Sequence, residues 1–257
     1  MNNKKVKRKN INKKYQENFR FNIWIGLFLF SFILLLINFI AQNLIKSDFF
    51  PLFLEYLLFL IILFSSYVYF WKLGRPFFKS KEFIKSSRIF IYIIVGVFVF
   101  FALFGFFVPV PEAIGEKILD FLKQILDQTK DMSYLELTKF IFFNNLQSSF
   151  FGIIFGIFSI VLAILNGLLL GFVSSIGVNS EGFFILWRLF PHGIFELPAV
   201  FIALGLGLRL GLFVFSSKKR YFFKNNLFNS LRVFLFVILP LLGLAAFIES
   251  TLIFLVG

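Results

Sequence analysis

FIFFNNLQSSFFGIIFGIFSIVLAILNGLLLGFVSSIGVNS, residues 140–180, runs 41 positions without one charged side chain. A single helix of that length would reach about 60 Å, twice the ~30 Å hydrocarbon thickness of a bilayer. The stretch therefore predicts membrane helix that must bend, break or protrude. Asn144-Asn145, Asn166-Gly167 and the Gly171–Gly177 region are the expected break points.

Composition places the whole chain in the same class. It is 59% hydrophobic and only 15% charged, with 45 Phe in 257 residues. A soluble domain of this size would be nearer a quarter charged. The expected fold is all-α, a multi-pass transmembrane helical bundle of about six spans in a cell membrane. There is no Cys, which removes disulfides and thiolate metal sites from consideration. The net charge of +13 does not point to nucleic acid, because the basic residues cluster beside apolar runs, as positive-inside anchors do.

Outward from 140–180 the chain divides into four parts. Residues 1–22 form a basic cytoplasmic tail. Lys4, Lys5, Lys7, Arg8, Lys9, Lys13, Lys14 and Arg20 face a single acid, Glu17. Residues 23–111 form a three-span region, with apolar runs at 23–45, 52–71 and from Ile89 to about Val110. The first run is too long for a signal-peptide core and lacks a small-residue cleavage site. Residues 112–139 change character, with six acids against four bases. Ile114, Ile118, Phe121, Leu122, Ile125 and Leu126 recur at helical spacing there, which predicts an amphipathic extracytoplasmic helix. Ser133 followed by Glu136 is the pattern of a capping box opening a second helix. Residues 140–257 are the membrane core.

The charge clusters set a topological puzzle. Basic residues place 1–20 and 72–88 inside, and 112–139 then lies outside. Lys218, Lys219, Arg220, Lys224 and Arg232 should return inside, so an odd number of crossings must separate Lys139 from Lys218. Two full helices give an even number. A broken or re-entrant segment at Pro191–Gly193 would restore parity. So would failure of the positive-inside rule for one loop, or a segment 216–232 lying along an interface.

Pro191-His192-Gly193-Ile194-Phe195-Glu196-Leu197-Pro198 contains the only histidine of the chain. An ionisable side chain at the centre of an inserted helix costs roughly 2.5–3.5 kcal/mol, so such groups need a partner or a function. If a helix opens near His192, His192 and Glu196 share a face at i and i+4. Capping alone accounts for the pair. A polar core that also includes Glu249, Asn144, Asn145 and Asn166 would instead bind a cation, relay protons or grip a partner helix. Gly152/Gly156 and Gly167/Gly171 are small-xxx-small pairs, which read first as helix-packing sites. No catalytic or metal site is expected. A catalytic zinc wants about three ligands, usually with more than one His, and no Gly-x-Ser-x-Gly context accompanies this single His.

The ordered set Asn144-Asn145-Leu146, Gly152 and Gly156, Asn166-Gly167 with Gly171, Pro191-His192-Gly193 with Glu196-Leu197-Pro198, Gly205/Gly207 with Leu210-Gly211, and Ala245-Ala246-Phe247-Ile248-Glu249 resembles the stage II sporulation protein M family. The resemblance spans about 140–257. The first 139 residues match in general architecture only, and a terminal extension beginning Thr-Pro is replaced here by Thr251-Leu252. Pro191, Gly193, Pro198, Gly207 and Gly211 join the structural motif on this basis. The resemblance implies a multi-pass, non-enzymatic protein that needs no cofactor. Its partners would be the lipid bilayer and other membrane or cell-envelope proteins, and a homo-oligomer is compatible with it. Two classes of function stay open: a scaffold that positions partner proteins, or a channel-like transporter of a small solute or ion.

Overall fold

The computed structural model describes residues 63–72, 74–182 and 185–256, all of whose regular structure is helical. Two compact units divide at Arg75/Pro76. In the first unit, residues 63–72 are helical, with Tyr67 stacked on Trp71 one turn later at 5.9 Å. The tail at 1–22 and the run at 23–45 lie outside the described residues, as does most of 52–71.

The second unit begins with α1, Pro76–Phe107. Proline suits a first helical position, where no N–H is needed. Lys79, Lys81, Lys85 and Arg88 thus lie on the early turns of the membrane helix itself, which stops short of Pro109 and Pro111. Helix α2 is Glu112–Thr129. Helix α3, Tyr134–Ile154, opens with the expected capping box at Ser133 and Glu136. Helix α4, Ser159–Glu181, follows a 3₁₀ turn at Gly156–Phe158. Helix α5 is Ile185–Gly211, with a 3₁₀ turn at Leu212–Phe215. Helices α6, Lys219–Val233, and α7, Leu239–Val256, are joined by a π-turn at Phe234–Ile238. Pro240 explains the wide turn. In α geometry its ring would collide with the carbonyl of Phe236, and the π-turn makes room for it.

Two expectations are corrected. The break in 140–180 falls at Gly156, whose φ of +60 only glycine adopts easily. Asn144-Asn145, Asn166-Gly167 and Gly171–Gly177 all run through unbroken helix. Pro191–Gly193 is neither broken nor re-entrant, since α5 passes through it and through Pro198. Prolines are tolerated in membrane helices because surrounding helices re-satisfy the freed backbone groups. Four helices among the described residues are long and apolar enough to cross a membrane: Pro76–Phe107, Gly156–Ser180, Gly193–Phe215 and Lys219–Leu255.

Packing gives the direction of each helix. Against α1, Ala163 meets Ile94, Gly167 meets Phe98, and Gly171 meets Ala102, so α1 and α4 run parallel. A side chain on Gly167 would lie 2.6 Å from the Phe98 carbonyl, and one on Gly171 would overlap the Ala102 carbonyl. Phe201 packs on Phe98, Gly205 on Ile91, and Arg209 on Ser87, so α5 is antiparallel to α1. Gly152 backs on Gly207, and Gly156 on Gly211, which makes α3 parallel to α5. Phe150 meets Phe234, Ile141 packs with Ala246, and Tyr134 binds Thr251, so α7 is antiparallel to α3.

Helices α3, α4 and α5 therefore each run between the two ends of the bundle. That is an odd number between Lys139 and Lys218. Parity comes from the Gly156 turn, which splits the uncharged run into two helices. One end of the unit carries the start of α1 with the end of α5 and α6. The other carries α2. Helix α5 is the centre, with all six residues from Ala203 to Leu208 buried. A helix apolar all round is one surrounded by protein.

Candidate functional site

Glu196 lies on α5 and Glu249 on α7, both half-buried, and the two helices pack together. Helix α3 serves as a ruler. Gly152 is level with Leu204 and Gly207 of α5, and Leu137 and Ile141 are level with Ala246 of α7. Both carboxylates lie on the α2 side of these contacts, in the same half of the bundle. Neither is without a partner. His192 is one turn before Glu196 on the α5 backbone, and its side chain lies outside the described residues. Among the described residues no three His, Cys, Asp or Glu side chains gather where a metal could be held.

Asn166 does not join these carboxylates in a buried polar core. Asn166 is exposed, and its amide donates to the Leu162 carbonyl of its own helix at 2.9 Å. Asn144 is exposed and Asn145 half-buried on α3. A helix surface satisfies an amide through the carbonyl four residues back, which removes the need for a core partner. Of the motif residues, Gly152, Gly156, Gly207 and Gly211 form the α3–α5 crossing, and Gly167 and Gly171 form the α1–α4 crossing. Pro191, Gly193 and Pro198 are interior residues of α5.

The polar side chain that the structure sets most firmly, Arg209, lies outside the polar core expected from sequence. The Nη1 of Arg209 donates to the hydroxyls of Ser86 and Ser87, each at 2.6 Å. Both serines in turn donate to the Phe83 carbonyl, at 2.8 and 2.7 Å. The guanidinium carbon stands 4.3 Å above the Phe83 ring. Cation–π attraction and two charge-assisted bonds thus fix the group in the α1–α5 seam. The partners are 122 and 123 residues apart in sequence, so no local signal announces them. Arg232 is likewise held, on the Asn229 side-chain carbonyl at 2.9 Å and over the Phe228 ring at 4.8 Å.

At the opposite end, the Glu136 carboxylate accepts from the Ser133 hydroxyl at 2.7 Å and its backbone N–H at 2.9 Å. These bonds hold Glu136 below the ordinary carboxylate range, with Lys139 helping. Tyr134 closes the same end. Its hydroxyl pairs with the Thr251 hydroxyl at 3.0 Å, and its ring meets Phe254 and Phe247 edge-on. Helix α2 stands apart. Gly115 is its one buried residue among those described, while Ile114, Phe121 and Leu126 are exposed.

No curated protein and no solved structure matches the chain. A family model described as stage II sporulation protein M matches residues 93–252. The match begins well before residue 140, taking in the second half of α1 from residue 93 and all of α2, so the family's pattern extends further toward the N-terminus than the motif residues alone indicate. The matched span holds both glycine crossings, Arg209, Glu196 and Glu249, and covers more than half of the chain, which therefore belongs to the stage II sporulation protein M family.

Proposed function

We propose that this chain is a non-enzymatic scaffold of the cell membrane that positions partner proteins through α2. The observation that carries the reading is α2 itself. It is an 18-residue amphipathic helix whose Ile114, Phe121 and Leu126 stay exposed at one end of the bundle. The internal polar groups support the same reading. Asn166, Asn226, Arg209 and Arg232 bond to neighbouring protein groups rather than converging on one cavity. A solute pathway would need several such groups facing a common space.

In this reading the basic end of the bundle is cytoplasmic and α2 extracytoplasmic, by the positive-inside rule. Helix α3, about 31 Å long by its 21 residues, is a further traverse beyond the six expected from sequence. The transporter reading retains one support, the placement of Glu196 and Glu249 in the same half of two packed helices.

A photo-crosslinking residue at Phe121 in intact cells tests the proposal. The scaffold reading expects a discrete envelope protein to be captured, and to be lost when Ile114 and Leu126 are changed together to Ser, with thermal stability in detergent unchanged. Capture of lipid alone refutes it. So does solute flux in proteoliposomes that Glu196→Gln abolishes.

A further inference from the structure

Among the described residues, Arg209 is an immobilised cation without an anion. Its hydrogen bonds to the described residues use Nη1 alone, and no carboxylate of those residues lies within ion-pair distance. Its Nη2 and Nε donors engage no group of the described residues and are not fully buried. A half-buried guanidinium seated on two hydroxyls and a ring has already lost its rotamer freedom, so binding a further acceptor costs little more ordering.

The depth of the group names the acceptor. Arg209 is level with Ser86 and Ser87, and α1 carries no charge from Ile89 to its end at Phe107. The guanidinium therefore stands at the boundary where the apolar span begins. Lys85 and Arg88 flank the serines, and Glu82 is the one acid on this part of α1. One turn deeper, Ile89 is 63% exposed, and Ile93 on the same face is 46% exposed. A phosphate at Arg209 would thus continue into an apolar track. That order, cations at the boundary and exposed aliphatic side chains just below, matches a phospholipid rather than a soluble anion.

We infer that Arg209, fastened to Ser86 and Ser87, is a headgroup site for an anionic phospholipid, whose phosphate takes the open guanidinium donors while an acyl chain lies along Ile89 and Ile93. Ser86 and Ser87 are positioning residues here, and Lys85 and Arg88 add long-range attraction. This inference does not depend on which proteins, if any, α2 holds.

The test is native mass spectrometry of the full-length protein in neutral detergent, titrated with phosphatidylglycerol, phosphatidylcholine or inorganic phosphate. The site predicts that phosphatidylglycerol is retained about tenfold better than phosphatidylcholine, whose choline cation sets a like charge beside the guanidinium and offsets that of the shared phosphate. Arg209→Gln should erase the preference, and Arg209→Lys, which keeps charge but not the fork, should reduce it. Lys219→Gln, on an exposed side chain away from the seam, should leave it intact. Ser86→Ala alters an exposed hydroxyl and decides the matter even if Arg209→Gln does not fold, because releasing Nη1 should lower retention severalfold. Equal retention of both lipids overturns the inference, as does a preference unaffected by Arg209→Lys and Ser86→Ala. Displacement of the lipid by millimolar inorganic phosphate would assign the site to a soluble anion and overturn it equally.

Discussion

Replacing Gly171 with Ala, beside Gly96→Ala as its partner measurement, isolates the energetics of the α1–α4 crossing. Both glycines are interior helical residues, so both substitutions gain the same intrinsic helix propensity, about 1 kcal/mol. They differ in what a methyl group meets. At Gly96 nothing stands within 4 Å, whereas at Gly171 the methyl overlaps the Ala102 carbonyl oxygen and lies 2.8 Å from the Phe106 nitrogen. Those are backbone atoms and cannot rotate aside. The helices must separate, and overpacking of this kind costs about 1–3 kcal/mol, sometimes more. Because the propensity gain cancels in the comparison, the difference between the two variants is that cost. Helix contacts in lipid depend on close approach rather than on hydrophobic drive, so little is recovered by relaxation. Thermal unfolding in mild detergent, followed by circular dichroism, should rank Gly96→Ala at or above the parent and Gly171→Ala clearly below it. A Gly171→Ala midpoint equal to that of Gly96→Ala would refute the crossing as drawn.

Other outcomes follow from the same contacts. Tyr134→Phe should destabilise by about 0.5–1 kcal/mol, at the low end for a hydrogen bond because Thr251 keeps its bond to the Phe247 carbonyl, and chemical denaturation would measure it. Glu136 has a lowered pKa when folded, so its capping contribution is present above the ordinary carboxylate range and is lost as pH falls through the folded value. Hydrogen exchange at the first turn of α3 should accelerate in acid, and Glu136→Gln should lessen that dependence. In a chain with no native thiol, Gln124→Cys should label from outside intact cells and Lys224→Cys only after permeabilisation. Labelling in the reverse order would invert the proposed orientation.

Much of the architecture was legible because it rests on local chemistry. Ser133 and Glu136 are three residues apart, and their bonds are closed within one turn. The glycine pairs at spacing four reveal faces of close approach, since few other residues allow backbones to touch. Spacing does not tell which glycine turns the chain. Gly156 and Gly167 look alike in sequence, yet Gly156 takes φ +60 against Gly211 while Gly167 stays helical under Phe98. That choice is made by the α3–α5 crossing, a contact between distant segments. Pro191 misled for a related reason. In water, proline ends helices because its missing bond is not replaced, but in a membrane bundle the alternatives to helix are worse. Nothing near Arg209 in the sequence marks its seat, because that seat is on α1.

The segment Gly205-Leu206-Gly207-Leu208-Arg209-Leu210-Gly211 shows how one helix answers two neighbours at once. Small or polar residues alternate with leucine, a period of two that in isolation suggests a strand. In a helix each step of two turns the direction by about 200°, close to opposite sides. Gly205 and Arg209, four apart, meet Ile91 and Ser86/Ser87 of α1. Gly207 and Gly211, also four apart, meet Gly152 and the Gly156–Ile157 backbone beside α3. Leu204 and Leu208 fill the space toward Ile94 and Ala163. The alternation is therefore two interleaved helical stripes on opposite faces of α5, with leucines closing the gaps between them. A helix so committed has no face left for lipid at this level, which is why residues 203–208 are buried without exception. It also means that α1 and α3 lie on opposite sides of one rigid element, so the seat of Arg209 and the glycine crossing are built on the same two turns.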